Sequence, residues 1–337
     1  MNIVILDGYA LNPGDLSWEV VRSAVAEAAN LPLSIVELST YERTEPEHIV
    51  SRVGEASIIL TNKTPLTGET LRQLPQLRYI GVLATGYDVV DVEAAIQQGI
   101  TVTNVPSYGT DTVAQYVFAM LLSWCHRVEA HDQAVKRGAW SRQPDFSFWL
   151  TPQTELAGKT FGIIGYGRIG QKVAQLAHAF GMRVLITSRS QRNALNVPHV
   201  QVVTQDELLA QSDVVSLHCP LNDETKGMVN KTFLNRMKST AVLINTARGA
   251  LVNEAELAGA VEQYVIEGAL LDVLSEEPPQ EHHPLIAKQE RIIITPHMAW
   301  ASQAARRRLL DIASGNIAAY LNGMPQHVVS RHMDSRQ

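Results

Sequence analysis

Cysteine is nearly absent: Cys125 and Cys219 are the two in a chain of 337 residues. Both sit in apolar settings, which excludes a disulfide framework and suits reduced thiols of a cytoplasmic protein, with no catalytic role indicated for either. Positive charge is also scarce. A formal net charge of −6 leaves no basic stripe to neutralise phosphates, and this argues against a nucleic-acid partner. Long apolar runs are missing as well. The longest, Val113 to Cys125, is interrupted by Gln115 and is too short to cross a bilayer, while Met1 to Leu6 lacks a basic flank and reaches Asp7 too early for a signal peptide. A soluble protein with no membrane association is expected. Low-complexity tracts are absent too, so disorder is expected only at the extreme C-terminus. The compact basic run Arg306-Arg307-Arg308 lies inside a helical pattern and reads as a solvated face.

What is present is an ordinary globular balance, 45% hydrophobic and 18% charged, in a chain longer than one core usually supports. Two domains are expected. Short runs rich in Val, Ile and Leu alternate with helical patterns, which predicts an α/β architecture with parallel sheets. The predicted strands of the first third are Ile3-Leu6, Ser34-Leu38, Ser57-Thr61, Tyr79-Ala84 and Thr101-Asn104, with a helix over Ser17 to Ala29. They form a complete small open sheet without a glycine-rich phosphate loop. A helix from Thr110 to His126 follows, then the irregular segment Gly138 to Gln153, which reads either as a dimerisation arm or as a surface loop. A second series of strands covers Thr160-Ile164, Arg183-Thr187, Val214-His218, Ala241-Asn245, Gly268-Asp272 and Ile292-Thr295, and Ser302 to Leu321 reads as a last helix.

The second series opens with Phe161-Gly162-Ile163-Ile164-Gly165-Tyr166-Gly167-Arg168-Ile169-Gly170, a G-x-G-x-x-G placed directly after a strand and at the start of a helix that stops at Gly181. That context is what a dinucleotide-binding βαβ unit demands. Gly165 permits a tight turn, Gly167 lets backbone approach a pyrophosphate, and Gly170 lets helix and strand pack closely, with the anion at the helix N-terminus. At the end of the next strand an acidic residue would receive the ribose 2′-hydroxyl of NAD(H). Ser188-Arg189-Ser190 stands there instead, with Arg192 close behind. A guanidinium suits a 2′-phosphate, so NADP(H) is favoured over NAD(H).

Ligands of such sheets sit outside the carboxyl ends of the strands. Arg248 follows strand 241-245, Glu277 follows strand 268-272, and His297 follows strand 292-295. Reduction of a 2-keto acid needs a carboxylate clamp, a hydride donor and an acid to protonate the oxygen. Arginine, a nicotinamide and imidazolium supply these in turn, and a carboxylate beside the histidine favours its protonated form. Each of these residues has a bland alternative when taken singly. His282-His283 lacks partners at zinc-ligand spacing and reads as a surface feature, so no metal is called for.

The stretches Glu155 to Thr160, Gly165 to Gly170, His218-Cys219-Pro220-Leu221, Asn245 to Gly249, Leu271 to Pro278 and Thr295 to Ala299 resemble the signatures of D-isomer-specific 2-hydroxyacid dehydrogenases. The resemblance spans nearly the whole chain. It implies two doubly wound parallel-sheet domains, a Rossmann cofactor domain over residues 105–300 inserted into a flavodoxin-like substrate domain made of 1–104 and 301–337. It implies Arg248, Glu277 and His297 as catalytic residues, with Arg248 and His297 also contacting substrate. Cofactor contacts are implied for Thr112, Gly165, Gly167, Arg168, Ile169, Ser188, Arg189, Ser190, His218, Cys219, Pro220, Thr246, Ala247 and Asp272, and a substrate-carboxylate nest for Ala84-Thr85-Gly86. A homodimer is implied too. Leu6 to Tyr9, Asn62 to Pro65 and His297 to Trp300 are similar to the glycerate dehydrogenase or hydroxypyruvate reductase branch. Ser188 departs from the usual acidic residue, and Gln115 stands where many relatives carry Glu. Hydroxypyruvate/glycerate or glyoxylate/glycolate is the expected substrate pair, with pyruvate open. A dinucleotide-sensing corepressor-like binding protein of the same fold is the alternative, and formate or phosphite oxidation a more distant one.

Overall fold

A computed structural model describes residues 1–188, 197–286 and 290–329. The chain divides into two compact units, one made of Met1–Gly109 with the segment from Trp300 onward, the other of Thr110–Ala299.

In the first unit β1 (Asn2–Ile5), α1 (Glu19–Ala28), β2 (Glu37–Thr40), α2 (Ile49–Val53), β3 (Ile58–Thr61), α3 (Gly68–Arg72), β4 (Tyr79–Val82), α4 (Val92–Gln97) and β5 (Thr101–Thr103) alternate along the chain. The five strands are parallel in the order β2-β1-β3-β4-β5, the flavodoxin-like arrangement. Every residue of β3 and β4 is buried, as expected when helices cover both faces of a parallel sheet. One face packs on Ile49, Val53, Leu71 and Ala95. The other packs on Val21 and Val25 of α1 and on Leu309, Ala313 and Ile317 of the chain's last helix, so that helix belongs to the first unit. The strand expected over Ser34-Leu38 lies later, at Glu37–Thr40. After Pro32 the residues Leu33–Ile35 form a single 3-10 turn, with the Ile35 N–H donating to the Pro32 carbonyl.

The second unit contains α5 (Thr110–His126), α6 (Val128–Lys136), β6 (Thr160–Ile164), α7 (Arg168–Ala179), β7 (Arg183–Thr187), β8 (Val200–Val202), α8 (Gln205–Gln211), β9 (Val214–Leu217), α9 (Lys231–Leu234), β10 (Val242–Asn245), α10 (Glu254–Glu262), β11 (Gly268–Leu271) and β12 (Ile292–Ile294). Its seven strands are all parallel, in the order β12-β11-β10-β9-β6-β7-β8. Chain direction across the sheet reverses between β6 and β9, and this is the switch point where doubly wound sheets hold ligands. Phe161, Ile163, Ile186 and Ile244 are buried under α5 and α7 on one face, and Leu185, Val215, Leu217 and Leu243 under α8 and α10 on the other. Neither the edge strand β8 nor helix α6 is among the elements predicted above. The edge strand β8 has three residues, too few for a period to show, and α6 restarts the helix after a left-handed Arg127 (φ 47°) that breaks it from α5.

The final helix α11 (Gln303–Leu321) corrects the reading of the arginine run. Arg306 is buried, its guanidinium donating twice to the Asp15 carboxylate at 2.6 Å and once to the Leu11 carbonyl at 2.9 Å. The helical period turns it inward, while Arg307 and Arg308 stay exposed. No helix among the described residues is long and apolar enough to cross a membrane.

Candidate active site

The glycine loop behaves as its spacing demands. Gly165 has φ +96°, and a Cβ there would meet the His218 carbonyl oxygen at 2.5 Å, so the ends of β6 and β9 touch at the switch point. At Gly170 a Cβ would strike the Gly165 carbonyl. At Gly167 it would meet nothing within 4 Å, so this residue, the N-cap of α7, faces open space just before Arg168 and Ile169 begin the helix. First-turn N–H groups of a helix have no intrahelical acceptor and carry partial positive charge, so the opening suits a phosphate.

The neighbouring strand ends line the same edge. Ser188 follows β7 and is half-buried; Arg189, Ser190 and Arg192 lie outside the described residues. Thr112 stands in the first turn of α5. After β9, the His218 imidazole lies with Nε2 2.8 Å from the Ser216 hydroxyl, and its burial pushes the pKa down to about 4, which keeps the ring neutral. Cys219 packs with Sγ 3.9 Å from Met228 Sδ, and Pro220 is exposed. Burial also pushes the Cys125 thiol up, away from reactivity. After β10, the Thr246 hydroxyl is buried without a hydrogen-bond partner among the described residues, while the Ala247 N–H donates to Asn245 Oδ1 at 3.0 Å. An orphaned buried hydroxyl is costly. A bound dinucleotide that satisfied it would remove that cost, and the open N-terminus of α7 lies on the same sheet edge, two strands away.

On the same edge lie the three residues singled out for chemistry. His297 follows β12 with φ +51°, a left-handed conformation in which a non-glycine residue is uncommon and which clusters at functional sites. Its Nδ1 is 2.6 Å from Glu277 Oε2, and both side chains are about one-third exposed, at 33% each. The other carboxylate oxygen of Glu277 accepts the Leu274 N–H at 3.0 Å. Nδ1 faces the carboxylate, so the second ring nitrogen of His297 is Nε2. Asp272 at the end of β11 braces the turn, its Oδ1 accepting from the Thr295 hydroxyl at 2.6 Å and the Met298 N–H at 3.0 Å, its Oδ2 from the Ala299 N–H at 2.8 Å. Burial pushes the Asp272 pKa up, against these donors that hold it down.

Arg248 is exposed, with Nη1 donating to the Ala247 carbonyl at 2.8 Å, and its own carbonyl accepts from Asn245 Nδ2 at 2.8 Å. The next residue, Gly249, lies so close to the Leu274 carbonyl that no Cβ fits. The structure therefore brings His297 and Glu277 together directly and ties the Arg248 segment to the Glu277 loop through backbone. In the first unit, Ala84, Thr85 and Gly86 follow β4, and their N–H groups take no acceptor among the described residues. The loop is held from behind, with Asn104 Nδ2 donating to the Thr85 carbonyl at 2.8 Å and Asn62 Nδ2 to the Leu83 carbonyl at 2.8 Å. Successive amides with free N–H groups form an anion nest.

One reading needs correction. His283 is not a surface feature: its side chain is 12% exposed and its Nε2 lies 3.1 Å from Glu254 Oε2. Local sequence offered only a faint signal, an apolar Leu285 two residues on that anchors the segment in the core.

Moving a hydride to or from a dinucleotide requires an anion-binding helix terminus and a proton-handling group on one sheet edge, and this edge has both; the class is nicotinamide-dependent oxidoreductase. Comparison with known proteins narrows the class. Residues 118–299 match the model of the D-isomer specific 2-hydroxyacid dehydrogenase, NAD binding domain. The chain is 45% identical over 334 residues to the hydroxypyruvate reductase of Blautia hydrogenotrophica, covering 98% of this chain and 100% of the relative. It is 42% identical over 296 residues to the glycerate dehydrogenase of Methylorubrum extorquens, covering 87% and 92%. The crystal structure of an NADPH-dependent glyoxylate/hydroxypyruvate reductase from Sinorhizobium meliloti in complex with citrate superimposes with a TM-score of 0.79 at 27% identity, covering 98% of this chain and 97% of that one. The chain belongs to the D-isomer specific 2-hydroxyacid dehydrogenase family and is an NAD(P)-dependent oxidoreductase acting on a small 2-hydroxy or 2-keto acid.

Proposed function

We propose that the enzyme reduces hydroxypyruvate or glyoxylate with NADPH in preference to NADH, using His297 as the acid. The observation that carries the reading is the 2.6 Å contact between His297 Nδ1 and Glu277, on the sheet edge that holds the glycine loop. The carboxylate fixes the ring's orientation, so that Nε2 donates a proton to the substrate oxygen during reduction and takes it back during oxidation. Arg248 has the substrate-carboxylate role, as a planar fork of donors, and in the first unit Ala84, Thr85 and Gly86 have a substrate-binding role as an anion nest. The bound nicotinamide supplies the hydride. Thr112, Gly165, Gly167, Arg168, Ile169, His218, Cys219, Pro220, Thr246, Ala247 and Asp272 hold the dinucleotide, and Ser188, Arg189 and Ser190 receive its adenosine ribose. Ser188 in place of a carboxylate removes the repulsion a 2′-phosphate would meet, which supports the preference for NADP(H). The unit that ends at Gly109 and resumes at Trp300 serves as substrate domain, the other as cofactor domain.

We further propose a cytoplasmic homodimer joined through the segment 138–153, where Phe146 is 89% and Trp149 68% exposed. Large aromatic surface left in water is the mark of an interface. Light scattering should give twice the chain mass, and Phe146→Glu combined with Trp149→Glu should give the monomer.

A screen of hydroxypyruvate, glyoxylate and pyruvate against NADPH and NADH tests the assignment. Expected is a higher kcat/KM with NADPH, reversed by Ser188→Asp; a clear NADH preference in the parent enzyme defeats the cofactor proposal. His297→Ala should lose about a thousandfold or more in kcat, within the range of general acid catalysis, while retaining cofactor affinity. Arg248→Ala should chiefly raise KM for the keto acid. Purified His297→Ala with undiminished turnover on the best substrate would end the reading.

A further inference from the structure

Behind the Glu277–His297 pair lies a second carboxylate–histidine pair, Glu254–His283, with side chains 14% and 12% exposed and therefore more enclosed than the 33% of the first. Glu254 opens α10, which Asn253 caps by accepting the Glu256 N–H at 3.2 Å. Its two oxygens have different partners. Oε1 accepts the Ser275 N–H at 2.7 Å, and Oε2 lies 3.1 Å from His283 Nε2. The opposite ring atom, Nδ1, accepts the Leu285 N–H at 3.3 Å, so the proton is assigned to Nε2, which donates to Glu254. A neutral imidazole satisfies both contacts.

The two pairs meet on the consecutive peptides that flank Leu274. The Leu274 N–H goes to Glu277 and the adjacent Ser275 N–H goes to Glu254. The Leu274 carbonyl between them is pressed against Gly249, the residue after Arg248. Because these peptides share the Leu274 Cα, the one that Glu254 holds fixes the one that Glu277 accepts from, and the fully buried Leu285 roots the far end of the chain of contacts in the core. We infer that Glu254 and His283 are positioning residues that hold the 274–277 backbone so that Glu277 meets His297 Nδ1. Neither need touch substrate or cofactor. The inference rests on the proposed roles of Glu277 and His297 and adds the device that places them. A carboxylate displaced by a fraction of an ångström releases the imidazole from its productive orientation, and misplacement of that size carries a rate cost of roughly tenfold to a hundredfold.

Two amide replacements separate positioning from bulk. His283→Gln places an amide N–H where Nε2 stands and keeps the bond to Glu254. His283→Asn reaches only as far as Nδ1, so it keeps the Leu285 contact and loses Glu254. Each is compared with the parent enzyme for kcat and KM on the best keto acid, for the pH profile of kcat, for cofactor affinity by fluorescence, and for Tm. Expected is a fall in kcat of at least about tenfold for His283→Asn and Glu254→Ala, with a displaced pH profile, unchanged cofactor affinity, and recovery to within about threefold in His283→Gln. Equal turnover and superimposable pH profiles in the Asn and Gln variants overturn the inference, and so does a loss in His283→Asn that merely tracks its Tm. If His297→Ala and Glu277→Gln are inactive while His283→Asn is not, the positioning role fails and the proposed acid stands. Full activity in His297→Ala removes both.

Discussion

The backbone N–H of His297 donates to the carbonyl oxygen of Asp272 at 2.8 Å, which ties the left-handed turn of the histidine to the end of β11. The Asp272 side chain completes the brace by accepting from Thr295, Met298 and Ala299. Asp272→Asn keeps an oxygen toward Thr295 and Met298 but turns an N–H2 group on the Ala299 N–H. Leaving a buried donor unsatisfied costs about 1–3 kcal/mol, so the urea midpoint should fall and kcat with it. An unchanged midpoint with full turnover would show that the turn holds itself.

The orphaned Thr246 hydroxyl makes an unusual forecast, because its removal should not hurt the empty protein. Thr246→Val deletes a buried polar atom that has no partner among the described residues, and replacing such a group by an apolar one of the same shape is neutral or stabilising. The Tm without cofactor should therefore hold or rise. The Tm increase that saturating cofactor produces should shrink, since the lost contact belongs to the bound state. A full cofactor-induced shift in the variant would mean that the hydroxyl does not face the dinucleotide.

His218 makes acid sensitivity calculable in sign. Its folded pKa of about 4 lies below the ordinary 6.5, so on acidification the unfolded chain takes the proton first. The stability linked to the neutral ring is whole above the ordinary value and is lost as pH falls toward the folded one. The loss amounts to at most about 3 kcal/mol at the acid end, and partial exposure of the residue reduces it. Tm measured down this range should fall more steeply for the parent enzyme than for His218→Gln, which carries no titrating ring. Parallel slopes would contradict the assignment.

Gly249 is required by what it touches. An added methyl would overlap the Leu274 carbonyl and the Ser275 nitrogen, both backbone, so neither can swing away. Gly249→Ala should lose about 1–3 kcal/mol, as overpacking does, and should lower kcat more than its Tm loss explains, because the strain falls on the loop that carries Glu277. Parental stability and turnover together would show that the loop yields without consequence.

Legibility in the sequence was uneven for identifiable reasons. The strands β6 and β7 and helix α5 begin and end where apolar periodicity and flanking glycines place them, since each signal there is local. The first-unit strand β2 was placed too early, because Leu33–Ile35 is as β-prone as the true strand and only its 3-10 turn after Pro32 displaces it. The outward fate of Arg306 was misjudged, since its partner Asp15 lies far away in the chain. His283 was misread for the same reason: the carboxylate that encloses it is 29 positions distant.

The order of residues by itself determined the alternation of strand and helix, the glycine turn, and the placement of Arg248, Glu277 and His297 at strand ends, because these depend on backbone sterics and on the period of apolar side chains. Only the tertiary structure decided which oxygen of Glu277 meets which nitrogen of His297, that the Thr246 hydroxyl finds no partner among the described residues, and that Glu254 and His283 hold the backbone next to the first pair. Those contacts form between segments remote in the chain, and a hydrogen bond is set by ångström distances that only the packed fold supplies.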